Sequence, residues 1–92
     1  MTYLYPTLHY HKASFGLPIY EICDNKIFPT VHNQQDAYGL PTYEIQGSQL
    51  YPTVYNGRHP HWVPAYEIRN SQLYPTVHNR EDTYGLPVFD IR

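Results

Sequence analysis

Gly39-Leu40-Pro41-Thr42-Tyr43-Glu44-Ile45-Gln46-Gly47-Ser48-Gln49-Leu50-Tyr51-Pro52-Thr53-Val54-Tyr55 reads as one β-hairpin. Residues 40–45 and 50–55 carry β-branched and aromatic side chains in alternation with polar ones, as half-buried strands do. Gly47-Ser48 between them is a two-residue loop that tolerates positive φ. Such a loop makes its flanking pair hydrogen-bonded, and bonded and non-bonded pairs alternate from there. Gln46–Gln49 and Glu44–Tyr51 become bonded pairs, whereas Ile45–Leu50, Tyr43–Pro52 and Pro41–Val54 become non-bonded. Both prolines fall at non-bonded sites, so the hairpin loses no bond to them. The N–H they lack is the outward one. Pairing with a neighbouring hairpin is therefore expected to be incomplete, giving four hairpin petals around an axis and not one uninterrupted barrel.

The hairpin recurs. The chain has 92 residues, four times 23, and at a step of 23 it aligns with itself without insertion or deletion. Leu4, Ile27, Leu50 and Leu73 coincide, as do Pro6, Pro29, Pro52 and Pro75. Further on, Tyr20, Tyr43, Tyr66 and Phe89 coincide, and then Ile22, Ile45, Ile68 and Ile91. The units are 15–37, 38–60, 61–83, and 84–92 joined with 1–14. An open solenoid has no reason to split a unit between its ends, whereas a ring closed by pairing its first and last strands does. The expected fold is an all-β, single-domain, closed four-fold pseudo-symmetric toroid of four hairpins, the fourth built from the N- and C-terminal strands.

Composition agrees. Nine prolines are spread so that no stretch between two of them exceeds eleven residues, and each would cost about 3 kcal/mol inside a helix. Six Lys and Arg against eight Asp and Glu, with no basic run, argue against a binder of nucleic-acid phosphates. No stretch of apolar residues is long enough to span a membrane, and the N-terminus lacks the pattern of a secretion signal. A cytoplasmic location is the default expectation, although a mature extracellular chain or a phage product would look the same. Cys23 stands alone in the sequence, so neither an internal disulfide nor a zinc site built on cysteine pairs is available.

The pattern Gly39-Leu40-Pro41-Thr42-Tyr43-Glu44-Ile45, a tight polar turn and then Leu50-Tyr51, repeated four times and closed by the two terminal halves, resembles the four-fold β-flower proteins. That resemblance implies a shallow toroid of hairpins and no particular activity.

Alternation divides each hairpin into two faces. One carries Ile45, Leu50, Tyr43, Pro52, Pro41, Val54 and their equivalents, and is assigned to the core. The other carries the polar repeats. Glu21, Glu44, Glu67 and Asp90 form a ring of acids suited to a cation or to ligand hydroxyls, or to keeping hairpin edges from aggregating. Tyr5, Phe28, Tyr51 and Tyr74 supply flat rings on the same face. With Thr7, Thr30, Thr53 and Thr76, and with Asn33, Asn56 and Asn79, they make the mixture of stacking planes and hydrogen-bonding groups that a sugar requires. Cross-strand packing is the structural alternative for these tyrosines. Trp62 replaces a turn glycine and is a candidate stacking platform, or drift at one junction. His9, His32 and His78 share one repeat position with Tyr55. Near the axis they would surround a metal, and at the rim they would be separate. The pairs His9/His11 and His59/His61 suit incidental metal capture.

No nucleophile elbow, phosphate loop or HExxH occurs, and repeated identical units disfavour the asymmetric placement that catalysis requires. The expectation is a non-enzymatic, multivalent binding module without a cofactor, directed at glycans, with up to four equivalent sites. The alternatives are an assembly protein that oligomerises or binds a protein through its variable loops, and a His-rich module responsive to metal or pH.

Overall fold

The computed structural model describes residues 2–10, 16–33, 36, 38–57, 59, 62–79, 81–82 and 84–92. Eight strands appear in chain order: β1 (Thr2–Pro6), β2 (Tyr20–Cys23), β3 (Lys26–Pro29), β4 (Tyr43–Gln46), β5 (Gln49–Pro52), β6 (Tyr66–Arg69), β7 (Gln72–Pro75) and β8 (Phe89–Ile91). They close into an antiparallel barrel in which each strand pairs with its chain neighbours and β8 pairs with β1. Among the described residues no helix is long and apolar enough to cross a membrane.

The hairpin register is the one the two-residue loops dictate. Tyr43 faces Pro52, Glu44 faces Tyr51, Ile45 faces Leu50 and Gln46 faces Gln49. The same pattern joins β2 to β3 and β6 to β7. Asp24-Asn25 and Asn70-Ser71 have positive φ at both loop positions, as type I′ turns do, whereas at Gly47-Ser48 the first position carries it, as in type II′. The terminal strands reproduce the pairing across the chain ends. Leu4 faces Ile91 and Pro6 faces Phe89, and Tyr3 and Arg92 exchange backbone bonds of 2.8 and 2.9 Å.

The seams between hairpins are joined, contrary to the expectation of separate petals. Lys26 faces Glu44 and Ile27 faces Tyr43, supported by Thr42 N–H to Ile27 O at 2.8 Å and Ile45 N–H to Asn25 O at 2.7 Å. The physical reason lies in where the prolines meet. Continuing this register by two residues brings Pro29 opposite Pro41. The other seams likewise set Pro6 against Pro18, Pro52 against Pro64 and Pro75 against Pro87. Two missing donors coincide at one rung, so the prolines stop each seam after a short ladder and do not prevent it.

Inside, Leu4, Ile27, Leu50 and Leu73 are fully buried. Against them pack Tyr20, Tyr43, Tyr66 and Phe89, whose rings form a closed edge-to-face cycle. Centroid separations are 6.0 Å for Tyr20–Tyr43, 5.5 Å for Tyr43–Tyr66, 5.8 Å for Tyr66–Phe89 and 5.7 Å for Phe89–Tyr20. Each buried ring contributes roughly 1.5–3 kcal/mol, and each such pair about 0.5–1.5 kcal/mol more. Ile22, Ile45, Ile68 and Ile91 pack partly buried against this cluster.

Two sets assigned to the core lie outside it. Pro18, Pro41, Pro64 and Pro87 precede the strands and are only half-buried, and the next residues, Ile19, Thr42, Ala65 and Val88, are buried instead. Leu8, Val31, Val54 and Val77 are 77, 74, 72 and 71 % exposed. The strands end at Pro6, Pro29, Pro52 and Pro75, and the threonine after each proline turns the chain. Thr53 Oγ1 donates to Pro41 O at 2.5 Å and accepts the Tyr55 N–H at 3.2 Å. Asn56 N–H then bonds Thr53 O at 3.0 Å. Alternation fails once the strand has become a turn, and Val54 points outward.

Candidate functional site

The outer surface carries three grooves that match one another at steps of 23 residues. The first, about 280 Å³, is lined by Tyr3, Pro18, Glu21, Pro29, Thr30, Val31, His32 and Tyr38. The third, about 220 Å³, is lined by the residues 46 positions further on, from Gln49, Pro64 and Glu67 to His78 and Tyr84. The second, about 390 Å³, holds Lys26, Pro41, Glu44, Pro52, Thr53, Val54 and Tyr55, together with Gln46 and Tyr51. Each groove combines a residue of the preceding hairpin with the two prolines and acid of its own. The first and third add an aromatic from the following loop, so that they draw on three successive units and the second on two. The floor is apolar and rigid, the acid and the histidine or tyrosine are polar, and Tyr38 and Tyr84 are well-exposed rings. That mixture suits a small ligand with both apolar and polar faces.

The anticipated residues divide by role. The four acids stand on the outer face across the hairpin from Tyr5, Phe28, Tyr51 and Tyr74. Of these aromatics, Tyr51 lines a groove. The Arg69 guanidinium lies 3.9 Å over the Tyr74 ring and Arg92 lies 4.1 Å over Tyr5, so those ring faces are covered by cations. Thr30, Thr53 and Thr76 reach the grooves, but each threonine of the set already donates to a proline carbonyl: Thr7 to Pro87, Thr30 to Pro18, Thr53 to Pro41 and Thr76 to Pro64. The asparagines turn inward. Asn33, Asn56 and Asn79 donate through Nδ2 to Ile19 O, Thr42 O and Ala65 O at 3.1, 3.3 and 3.0 Å, and Asn56 and Asn79 are buried. Trp62 is exposed and lines none of the three grooves.

His9, His32 and His78 are exposed and sit one to a unit. Two of them occupy separate grooves, and among the described residues no three His, Cys, Asp or Glu side chains gather to hold a metal. His11 and His61 of the His-x-His pairs lie outside the described residues.

A second recurring constellation escaped sequence reasoning. The Tyr20 hydroxyl donates to Asp36 Oδ2 in a short bond, and the Tyr66 hydroxyl donates to Asp82 Oδ2 at 2.6 Å. Asn33 and Asn79 fix these acids by accepting the Asp36 and Asp82 N–H groups at 3.0 Å. In the unit between, buried His59 takes the acid's place, its N–H held by Asn56 Oδ1 at 3.2 Å and its Nε2 3.4 Å from Glu81 Oε1. Burial first, then Tyr43 and the Asp82 charge, push the Tyr66 phenol pKa well above its ordinary value. The available signal was a step of 16 residues from tyrosine to acid in two of the four units. The tyrosines and His59 are buried and the two aspartates part-buried, and together they tie the loops to the core.

Comparison with known proteins finds no matching family model, no matching curated protein and no matching solved structure.

Proposed function

We propose that this protein is a non-enzymatic, multivalent binding module directed at carbohydrate, with the grooves as its sites. The observation that carries this reading is the recurrence of one groove at 23-residue steps. Repetition of a weak site raises avidity without new contacts. Each groove offers what a sugar ring uses: an apolar floor for C–H groups and a carboxylate for hydroxyls, with an aromatic wall. By the same repeat a fourth site falls on Pro6, Thr7, His9, Pro87 and Asp90. A glycan array followed by titration calorimetry tests the reading. Millimolar to micromolar binding with more than one site per chain supports it, and silence across the array at millimolar ligand removes it.

One observation favours a second reading, an assembly protein. Leu8, Val31, Val54 and Val77 stand more than two-thirds exposed at the end of the barrel opposite the hairpin turns, a repeated set of apolar contacts for a second ring or a protein partner. Analytical ultracentrifugation distinguishes the two: a monomer at 100 micromolar chain speaks for the binding module, and a concentration-dependent oligomer for assembly.

A further inference from the structure

The acid of each groove holds the same place in the repeat but keeps different company. Glu44 stands across its seam from Lys26 and accepts the Gln46 Nε2 at 3.4 Å. Glu67 stands across from Gln49 and lies 3.4 Å from Arg69 Nε. Asp90 accepts the Gln72 Nε2 at 2.9 Å and has Arg92 two residues on. Glu21 stands across its seam from Tyr3 and across its hairpin from Phe28, and the residue two along is Cys23. None of these three neighbours is a cation or an amide. The half-buried Glu21 carboxylate therefore has aromatic neighbours on both flanking strands, and one of them, Tyr3, lines the groove together with Tyr38 and His32.

A carboxylate beside ring faces attracts a positive charge twice over, through its own charge and through the ring quadrupoles. An organic ammonium gains more there than a metal ion, because its methyl or methylene surface also contacts the rings and the proline floor. In the second groove Lys26 already supplies the positive charge, and the acid of the third has Arg69 Nε at 3.4 Å. We infer that the Glu21 groove is the cation-selective member of the set and takes an organic ammonium group, borne by a glycan; the glycan, though not the charge preference, rests on the function proposed above. The grooves then share a shape but differ in charge, and the residue at position 3, 26 or 49 helps to set the preference.

The test uses NMR titration of the full chain at pH 7.5 with three probes. Choline carries a permanent ammonium, 3,3-dimethylbutanol is its neutral isostere, and triacetylchitotriose is a neutral oligosaccharide. Choline is expected to shift the amides of Tyr3, Glu21 and Tyr38, with an affinity about tenfold above that of its isostere, and to leave those of Lys26 and Glu44 in place. Glu21→Gln should abolish the tenfold preference while retaining the amide spectrum of the folded ring, and Glu44→Gln should not change it. Equal affinity for choline and isostere overturns the inference, as does a preference that survives Glu21→Gln. Triacetylchitotriose separates this from the parent reading. If it shifts no groove while choline discriminates, the ammonium site stands and the glycan reading falls. If it binds while choline does not discriminate, the ammonium site falls alone.

Discussion

The ring of Tyr10 packs on that of Phe89 at a centroid distance of 4.7 Å and an interplanar angle of 44°. Tyr10 occupies the repeat position held elsewhere by Asn33, Asn56 and Asn79, and Phe89 the position held by Tyr20, Tyr43 and Tyr66. At the third position of the network, where the other units have Asp36, His59 and Asp82, this unit has Ala13, a residue outside those described. Three substitutions thus agree: the Phe89 position has no hydroxyl, and the acceptor and the amide that holds it are gone, with two packed, mutually tilted rings in their place. A buried polar network is sound when every member has its partner, and one unit of this ring dispenses with it as a set.

Phe89→Tyr alone should therefore destabilise the protein by about 1–3 kcal/mol, because it adds a buried hydroxyl to a unit that has lost its acid. The triple variant Phe89→Tyr, Ala13→Asp, Tyr10→Asn should recover most of that loss. Urea unfolding of the single and triple variants checks it; a triple variant no better than the single would separate the three positions energetically.

Removing the acceptor in an intact unit should cost a similar amount. Asp82→Ala leaves the Tyr66 hydroxyl without its 2.6 Å partner, a loss of about 1–3 kcal/mol read from the denaturation midpoint.

Alkali should unfold the ring. The Tyr66 phenol holds its proton more tightly in the folded state than its ordinary value allows, so above about pH 10 the unfolded chain binds fewer protons than the folded one. Stability is full below that pH and declines as pH rises through and above it. Absorbance at 295 nm should show Tyr66 ionising only with the loss of circular dichroism.

Ser71 adopts φ of 61°, a left-handed conformation that glycine enters without steric penalty. Ser71→Gly creates the favoured Asn-Gly pair of a type I′ turn and should stabilise by roughly 0.5–1 kcal/mol, seen as a rise of a few degrees in Tm.

Closure is tested by cutting. Deleting Tyr84–Arg92 removes β8, strips the partners of Leu4 and Pro6 and should unfold or aggregate a domain with only about 5–15 kcal/mol of stability. Joining Arg92 to Met1 and reopening the chain between Gly47 and Ser48 should preserve a cooperative melt, since that loop is the repeat equivalent of the junction.

Much of the fold was legible because two-residue loops leave little freedom in register: the Tyr43–Pro52 and Ile45–Leu50 pairs follow from Gly47-Ser48 alone. The seams were harder to read. Taken hairpin by hairpin, Pro29 and Pro41 each look like a broken bond, and only the inter-hairpin register shows that they face each other. Val54 was misplaced because period-two alternation was carried past the end of the strand. In the candidate site, the acids and threonines were visible as repeats, but Asn56 was read as a surface amide. Its inward turn depends on carbonyls of Thr42 across the hairpin. The grooves themselves join two or three units, so Tyr3, Glu21 and Tyr38 have no common signature in any one of them.

Seven of the eight strand pairings join strands consecutive in the chain, and one joins β1 to β8. That predicts an order of assembly in which neighbouring strands pair before the ends meet. Local hairpins close short loops at little entropic cost and can form in microseconds. The last pairing must bring Tyr3 to Arg92 and so meets the loop-closure entropy of the whole chain. It also completes the aromatic cycle at Phe89. Refolding should thus be limited by this single long-range step, and linking the ends would speed it, because the chain would then begin with its slowest contact already made.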